Sequence, residues 1–96
     1  MFIIKATNLY EEWFDGLKDS KNQRRIQAYI DRMELGNFSD HKSLGGGVWE
    51  LRMDFGSGWR VYYARRGGII IILLVGGNKK TQQKDIRTAK EIAKEV

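Results

Sequence analysis

Arg52 and Arg60 are the residues whose type and spacing most directly suggest chemistry. From Trp49 to Phe55, the apolar Trp49, Leu51, Met53 and Phe55 alternate with Glu50, Arg52 and Asp54, the two-residue period of a strand with one apolar face. After the turn Gly56-Ser57-Gly58, Trp59, Val61 and Tyr63 alternate with Arg60 and Tyr62. Both arginines therefore fall on one side of adjacent strands. Two guanidiniums so placed can hold a phosphodiester by bidentate hydrogen bonds and stabilise charge on a pentacoordinate phosphorus. The same pattern also allows simple cross-strand ion pairs with Glu50 or Asp54 on a solvated face. Lys79 and Lys80, leading into Thr81-Gln82-Gln83-Lys84-Asp85, bring basic and amide groups to a strand-to-helix junction, a setting that suits an anion. Tyr62, on the polar side, is a candidate for stacking on a base. His41, the lone histidine, has the right side chain for a general base, but its place in a polar loop beside Lys42 points to a solvated ring.

The balance of charge fits an anionic partner. Seventeen Lys and Arg against twelve Asp and Glu give +5 over 96 residues, which favours nucleic acid or an acidic protein. The absence of Cys excludes a disulfide framework, thiol catalysis and thiolate metal ligation. One histidine excludes a two-histidine metal site, and Glu50 with Asp54 lacks a third ligand, so neither metal nor cofactor is expected. Gly45-Gly46-Gly47 is not a phosphate-cradling loop, because a strand follows and no Gly-Lys-Ser/Thr does; it reads as a flexible connector. The apolar run Ile69 to Val75 is too short to span a bilayer and the N-terminus lacks the pattern of a secretory leader, so a cytoplasmic protein with no membrane partner is expected.

These groups must be positioned by one domain, residues 1–96. Phe2-Ile3-Ile4 reads as a first strand. Asn8 with Glu11, and Ser20 with Gln23, resemble capping boxes opening two helices, so that residues 8–35 form a helical hairpin. The second helix carries Ile26, Tyr29, Ile30 and Met33 on one side and Lys21, Arg24, Arg25 and Arg32 on the other. Residues 36–47 read as a polar glycine-rich loop. Three strands follow, the last of them apolar throughout, as suits a strand covered on both faces. Residues 82–95 return to helical spacing through Ile86, Ala89 and Ala93. The order β-α-α-β-β-β-α predicts an α+β, two-layer fold: an antiparallel sheet of about four strands, the helical hairpin on one face, and a C-terminal helix. The opposite face, with Glu50, Arg52, Asp54, Arg60 and Tyr62, is expected to be solvated.

Taken as a unit, Leu44 to Tyr63 and Val75 to Ile86 resemble the RelE/ParE toxin superfamily, most nearly its HigB-like addiction module killer branch. The likeness extends over nearly the whole chain. It implies a toxin of a type II toxin–antitoxin pair that cuts mRNA on the ribosome. In such an mRNA interferase the RNA's own 2′-hydroxyl attacks the scissile phosphate without a metal. By the resemblance, Arg60 matches the arginine that contacts that phosphate, Lys79 or Lys80 the basic position after the last strand, and Arg52 a strand that supplies further cations. Lys80, Tyr62, Lys84, Gln83, Arg24 and Arg25 are then the candidate RNA-binding residues. A cognate antitoxin, expected to be a small helix-turn-helix DNA-binding protein, is the implied partner. Residues 79–96 hold neither Tyr nor His, where members of the superfamily often place one. The alternative implied by the same fold is a ParE-like inhibitor of DNA gyrase without nuclease activity.

Overall fold

The computed structural model describes residues 1–96. Its elements are β1 (Ile3–Ala6), α1 (Asn8–Asp15), α2 (Ser20–Glu34), β2 (Asp40–Gly45), β3 (Val48–Arg52), β4 (Arg60–Arg66), β5 (Ile70–Gly77), a 3₁₀ turn (Lys79–Thr81) and α3 (Gln82–Ala93). The caps of α1 and α2 each lie one residue before the expected position. The Thr7 hydroxyl accepts from the Tyr10 backbone N–H at 3.0 Å, and the Asp19 carboxylate from that of Lys21 at 2.9 Å, satisfying donors that a helix start leaves free.

The strands form one five-stranded sheet in the order β1-β5-β4-β3-β2. It is mixed rather than wholly antiparallel: β2 to β5 pair antiparallel, while β1 lies parallel to β5, with Ile3 opposite Ile70 and Ala6 opposite Leu73. β1 runs through Thr7 directly into α1 and so has no hairpin partner, which leaves it to fill the free side of β5. β5 is thereby an interior strand, as its continuous apolar run implies.

The fifth strand lies where a loop was expected. Asp40–Gly45 pairs with β3 from Asp40 opposite Arg52 to Gly45 opposite Val48. Its sequence, DHKSLG, is polar and largely exposed, because an edge strand needs only backbone pairing on one side and blunts its free side with charge. Gly46 and Gly47, at φ +62° and +78°, make the tight turn into β3 with a left-handed backbone that glycine adopts without strain. The triple glycine is thus a hairpin turn and not a flexible connector.

The sheet divides two cores. On one face Ile26, Ile30 and Met33 of α2 and Tyr10 of α1 pack on Leu51, Met53, Val61, Tyr63, Ile71 and Leu73, all fully or nearly fully buried. On the other face α3 covers Val48, Tyr62, Ala64, Leu74 and Val75 with Ala89 and Ala93. The second face is therefore not solvated as expected. Alanines four residues apart give α3 a smooth stripe that lies close to the strands. A bulge in β5 adds to the cover: Tyr62 pairs with Val75 but Tyr63 with Leu73, and Leu74 and Val75 both join the α3 core. Beyond the bulge, Gly76 lies against the Trp13 ring and Gly77 against the Asp85 carboxylate, where any Cβ would collide. Those two glycines let α1 and α3 close on the end of the sheet that carries the candidate site.

Candidate active site

Strand register puts Arg52 directly opposite Arg60. Like charges facing each other across a ladder repel, so the pair needs a counter-charge, and Glu50 supplies it. Glu50 lies two residues before Arg52 on the same strand face, only 2% exposed. Its Oε1 is 3.4 Å from Arg52 Nε, and its Oε2 is 3.9 Å from Arg60 Nε. Gln82, the first residue of α3, donates from Nε2 to Oε2 at 2.7 Å, which ties this carboxylate to the helix. The cross-strand pairing weighed from the sequence is real, but it is buried, and one carboxylate serves both arginines. A buried carboxylate so shared is held by its partners, and removing it would leave the two guanidiniums uncompensated.

The two guanidiniums are anchored without being saturated. Arg60 is 8% exposed and its Nη1 donates to the Trp59 carbonyl at 3.0 Å. Arg52 is more open and also lies 3.9 Å from Asp40 Oδ2 on β2. Both Nε atoms are buried beside Glu50, whereas both Nη groups of Arg52 and Nη2 of Arg60 donate to no protein group, so donor capacity remains for a ligand.

Lys79 reaches the same place from the far end of β5. The 3₁₀ turn that carries it is closed by Asn78, whose side chain accepts from the Lys80 N–H at 2.9 Å while its own N–H donates to Thr81 Oγ1 at 3.2 Å. The Lys79 stem crosses Gly58, where a Cβ would come within 2.8 Å of its Cγ. Gly58 also sits at φ +79°, so both backbone conformation and space require glycine there. Arg52, Arg60 and Lys79, with Asp40, Asp54, Phe55 and the Gly56-Ser57-Gly58 turn, line one open hollow of about 470 Å³. Three cations thus converge from three elements on an accessible concavity, an arrangement whose charge suits an anion. The carboxylates of Asp40 and Asp54 at its wall are groups that can accept a proton.

The other candidates separate. Tyr62 lies under α3 and is fully buried; its ring has no free face to offer a base, and the stacking role expected from strand alternation is corrected. Burial pushes its phenol well above the ordinary range, and the nearby Glu50 and Asp85 carboxylates push further, partly opposed by Arg60. Lys80 is exposed and absent from the hollow's wall. Gln83 faces a shallow depression with Gln82 and Arg87, and Lys84 lines a groove between α1 and α3 beside Trp13. Arg24 and Arg25 are exposed on α2, and Arg25 lies 4.0 Å above the ring of Phe55. His41 is on β2, its ring against Phe38 and Trp49 and its Nδ1 3.1 Å from the Ser39 carbonyl.

Sequence reasoning missed the support of the site more than the site itself. Gln82 and the buried Asp85, which accepts from Thr81 Oγ1, read as an ordinary polar helix start. Asp40 was hidden in an unrecognised strand. The one available cue was glycine: Gly76-Gly77 before Asn78 marks close approach of neighbouring side chains as well as a strand end.

Two similar proteins bear on this geometry. An uncharacterized protein of Haemophilus influenzae is 45% identical over 93 residues, spanning 97% of this chain and 94% of its own. The free-state structure of a double arginine-to-alanine mutant of the E. coli toxin RelE superposes with a TM-score of 0.67 over 95% of this chain and 97% of that one, at 12% identity, which establishes a RelE-like fold. The family model described as phage derived protein Gp49-like (DUF891) matches residues 12–96, from mid-α1 to the C-terminus and including every residue of the hollow, and the chain belongs to that Gp49-like family.

Proposed function

We propose that this chain is the toxin of a type II toxin–antitoxin pair, on the HigB-like branch of the RelE/ParE superfamily, and that it cuts mRNA on the ribosome in the cytoplasm. The observation that carries this reading is the convergence of Arg52, Arg60 and Lys79 on one hollow. The fold shared with a toxin and the net charge of +5 support it. In the reaction, the 2′-oxygen forms a bond to the adjacent phosphorus and the bond to the 5′-oxygen breaks, leaving a 2′,3′-cyclic phosphate and a 5′-hydroxyl. Arg60 and Arg52 take up the charge of the phosphorane, and Lys79 donates a proton to the departing 5′-oxygen. The 2′-hydroxyl proton passes to Asp54, the hollow's carboxylate outside the ion pairs, since Asp40 is engaged by Arg52. Glu50 touches no substrate in this scheme; it is a positioning residue for the two arginines.

The partner is the cognate antitoxin, a small helix-turn-helix DNA-binding protein. Induction of the wild-type chain alone should arrest growth, and Arg60→Ala at equal abundance should lower RNA cleavage by about 10²–10³-fold and relieve the arrest. Full toxicity of Arg60→Ala would remove the mechanism. One feature favours a second reading, inhibition of DNA gyrase by binding: neither a histidine nor a tyrosine lines the hollow. Loss of supercoiling by purified gyrase with transcripts left intact would select that reading.

A further inference from the structure

We infer that the strand bound in the hollow continues over Phe55 onto α2, where the Arg25 guanidinium forms a stacking subsite for a nucleobase one step beyond the two that flank the scissile phosphate. This inference rests on the RNA-cleaving reading above and adds to it a second place of contact. Phe55 is the link, because it lines the hollow and its ring takes part in a ladder outside it. Arg25 lies over Phe55 at 4.0 Å, Phe55 stacks on Tyr29 with centroids 6.0 Å apart and planes 18° apart, and Arg32 lies over Tyr29 at 4.4 Å. The order Arg25–Phe55–Tyr29–Arg32 follows from helix geometry: Arg25 and Tyr29 are one turn apart on α2, and the β3–β4 turn inserts Phe55 between them.

The ladder is cationic at its ends and free of counter-charge. Neither Arg25 nor Arg32 forms an ion pair, and both are exposed. An aromatic ring beneath a guanidinium holds it flat, so Arg25 presents its other face and its N–H edge outward. Unstacked bases of a single strand bind on such planes, with little sequence preference. A duplex keeps its bases stacked inside, so the chemistry selects a single strand. Because Phe55 belongs to both the hollow and the ladder, a chain leaving the hollow past Phe55 meets Arg25 next.

The test measures binding of uncleavable 2′-O-methyl RNA to the purified full-length protein at low salt, as a dinucleotide and as a tetranucleotide. The tetranucleotide should bind more tightly, and Arg25→Ala should weaken it about tenfold while leaving the dinucleotide unchanged. Arg25→Lys should recover only a small part, because an ammonium restores charge without a plane. Arg60→Ala should weaken both oligonucleotides. An unchanged tetranucleotide affinity in Arg25→Ala, or full recovery by Arg25→Lys, would overturn the stacking subsite and leave the hollow standing. Weakening by Arg25→Ala with no effect of Arg60→Ala would do the reverse. No saturable binding of either oligonucleotide would overturn both. Arg25 is exposed, so its variants should unfold at the wild-type temperature, which separates a binding defect from a folding one.

Discussion

The face of the sheet under α1 and α2 is filled with aromatic and branched side chains: Tyr10, Ile26, Ile30, Met33, Leu51 and Tyr63. The face under α3 is different. Small residues, Ala64, Ala89 and Ala93, fill one part of it, while Glu50, Arg60 and Asp85 bring buried charge to the end beside the hollow. The first face obtains its stability from apolar area and close packing. The second gives up some of that to hold ionised groups where water is scarce and their fields are strong. Adjacent residues of β3 show the division most plainly, since Glu50 faces α3 and Leu51 faces α2.

The largest effect expected on this comparison comes at alkaline pH. Burial raises the phenols of Tyr10 and Tyr62, and that of Tyr63 to about 12. In the unfolded chain a tyrosine loses its proton near pH ~10. The folded state thus binds more protons above that value, so stability is full below pH ~10 and falls as pH rises toward the folded values. The fall is about 1.4 kcal/mol per pH unit for each tyrosine, about 4 for all three. Tyr10 and Tyr63 belong to the α1/α2 face and Tyr62 to the α3 face, so Tyr10→Phe with Tyr63→Phe should remove more of the slope than Tyr62→Phe. Denaturant unfolding at stepped pH measures this, and a stability that stays level through pH 11 would break the assignment.

Next in size is the contrast within β3. Leu51→Ala should cost about 2–5 kcal/mol of stability while leaving cleavage per folded molecule near wild type. Glu50→Gln should cost about 1.5–3 kcal/mol, the loss of charge-assisted contacts, yet lower kcat with KM changing much less, because the arginines lose their alignment. Unfolding curves and cleavage kinetics on the same preparations check both. Equal loss of kcat in the two variants would mean that the faces are not divided as described.

The sequence made one face legible and concealed the other. Period-two alternation identified Leu51, Met53, Val61 and Tyr63 as core because apolar residues in that pattern have one sensible destination. The same alternation, applied to Glu50, Arg60 and Tyr62, predicted solvent, since a polar residue paired inside a protein looks like one paired with water. Only the tertiary arrival of Gln82 and Ala89 on α3 decides the matter. β2 escaped for a related reason: an edge strand such as Asp40–Gly45 needs no hydrophobic period. Arg52, Arg60 and Lys79 were legible from spacing and from family likeness, and they converge as the turn at Gly58 and the Asn78 cap require. Arg25 was legible as a cation but not as a plane, because Phe55 reaches it from another element.

Arg60 and its neighbours are proposed to act on an RNA phosphodiester. Mapping 5′ ends of cellular transcripts shortly after induction tests this most directly. New 5′-hydroxyl ends within translated regions are expected for the wild-type chain, and their loss in Arg60→Ala. Growth arrest with transcripts intact, or the same ends produced by Arg60→Ala, would contradict it.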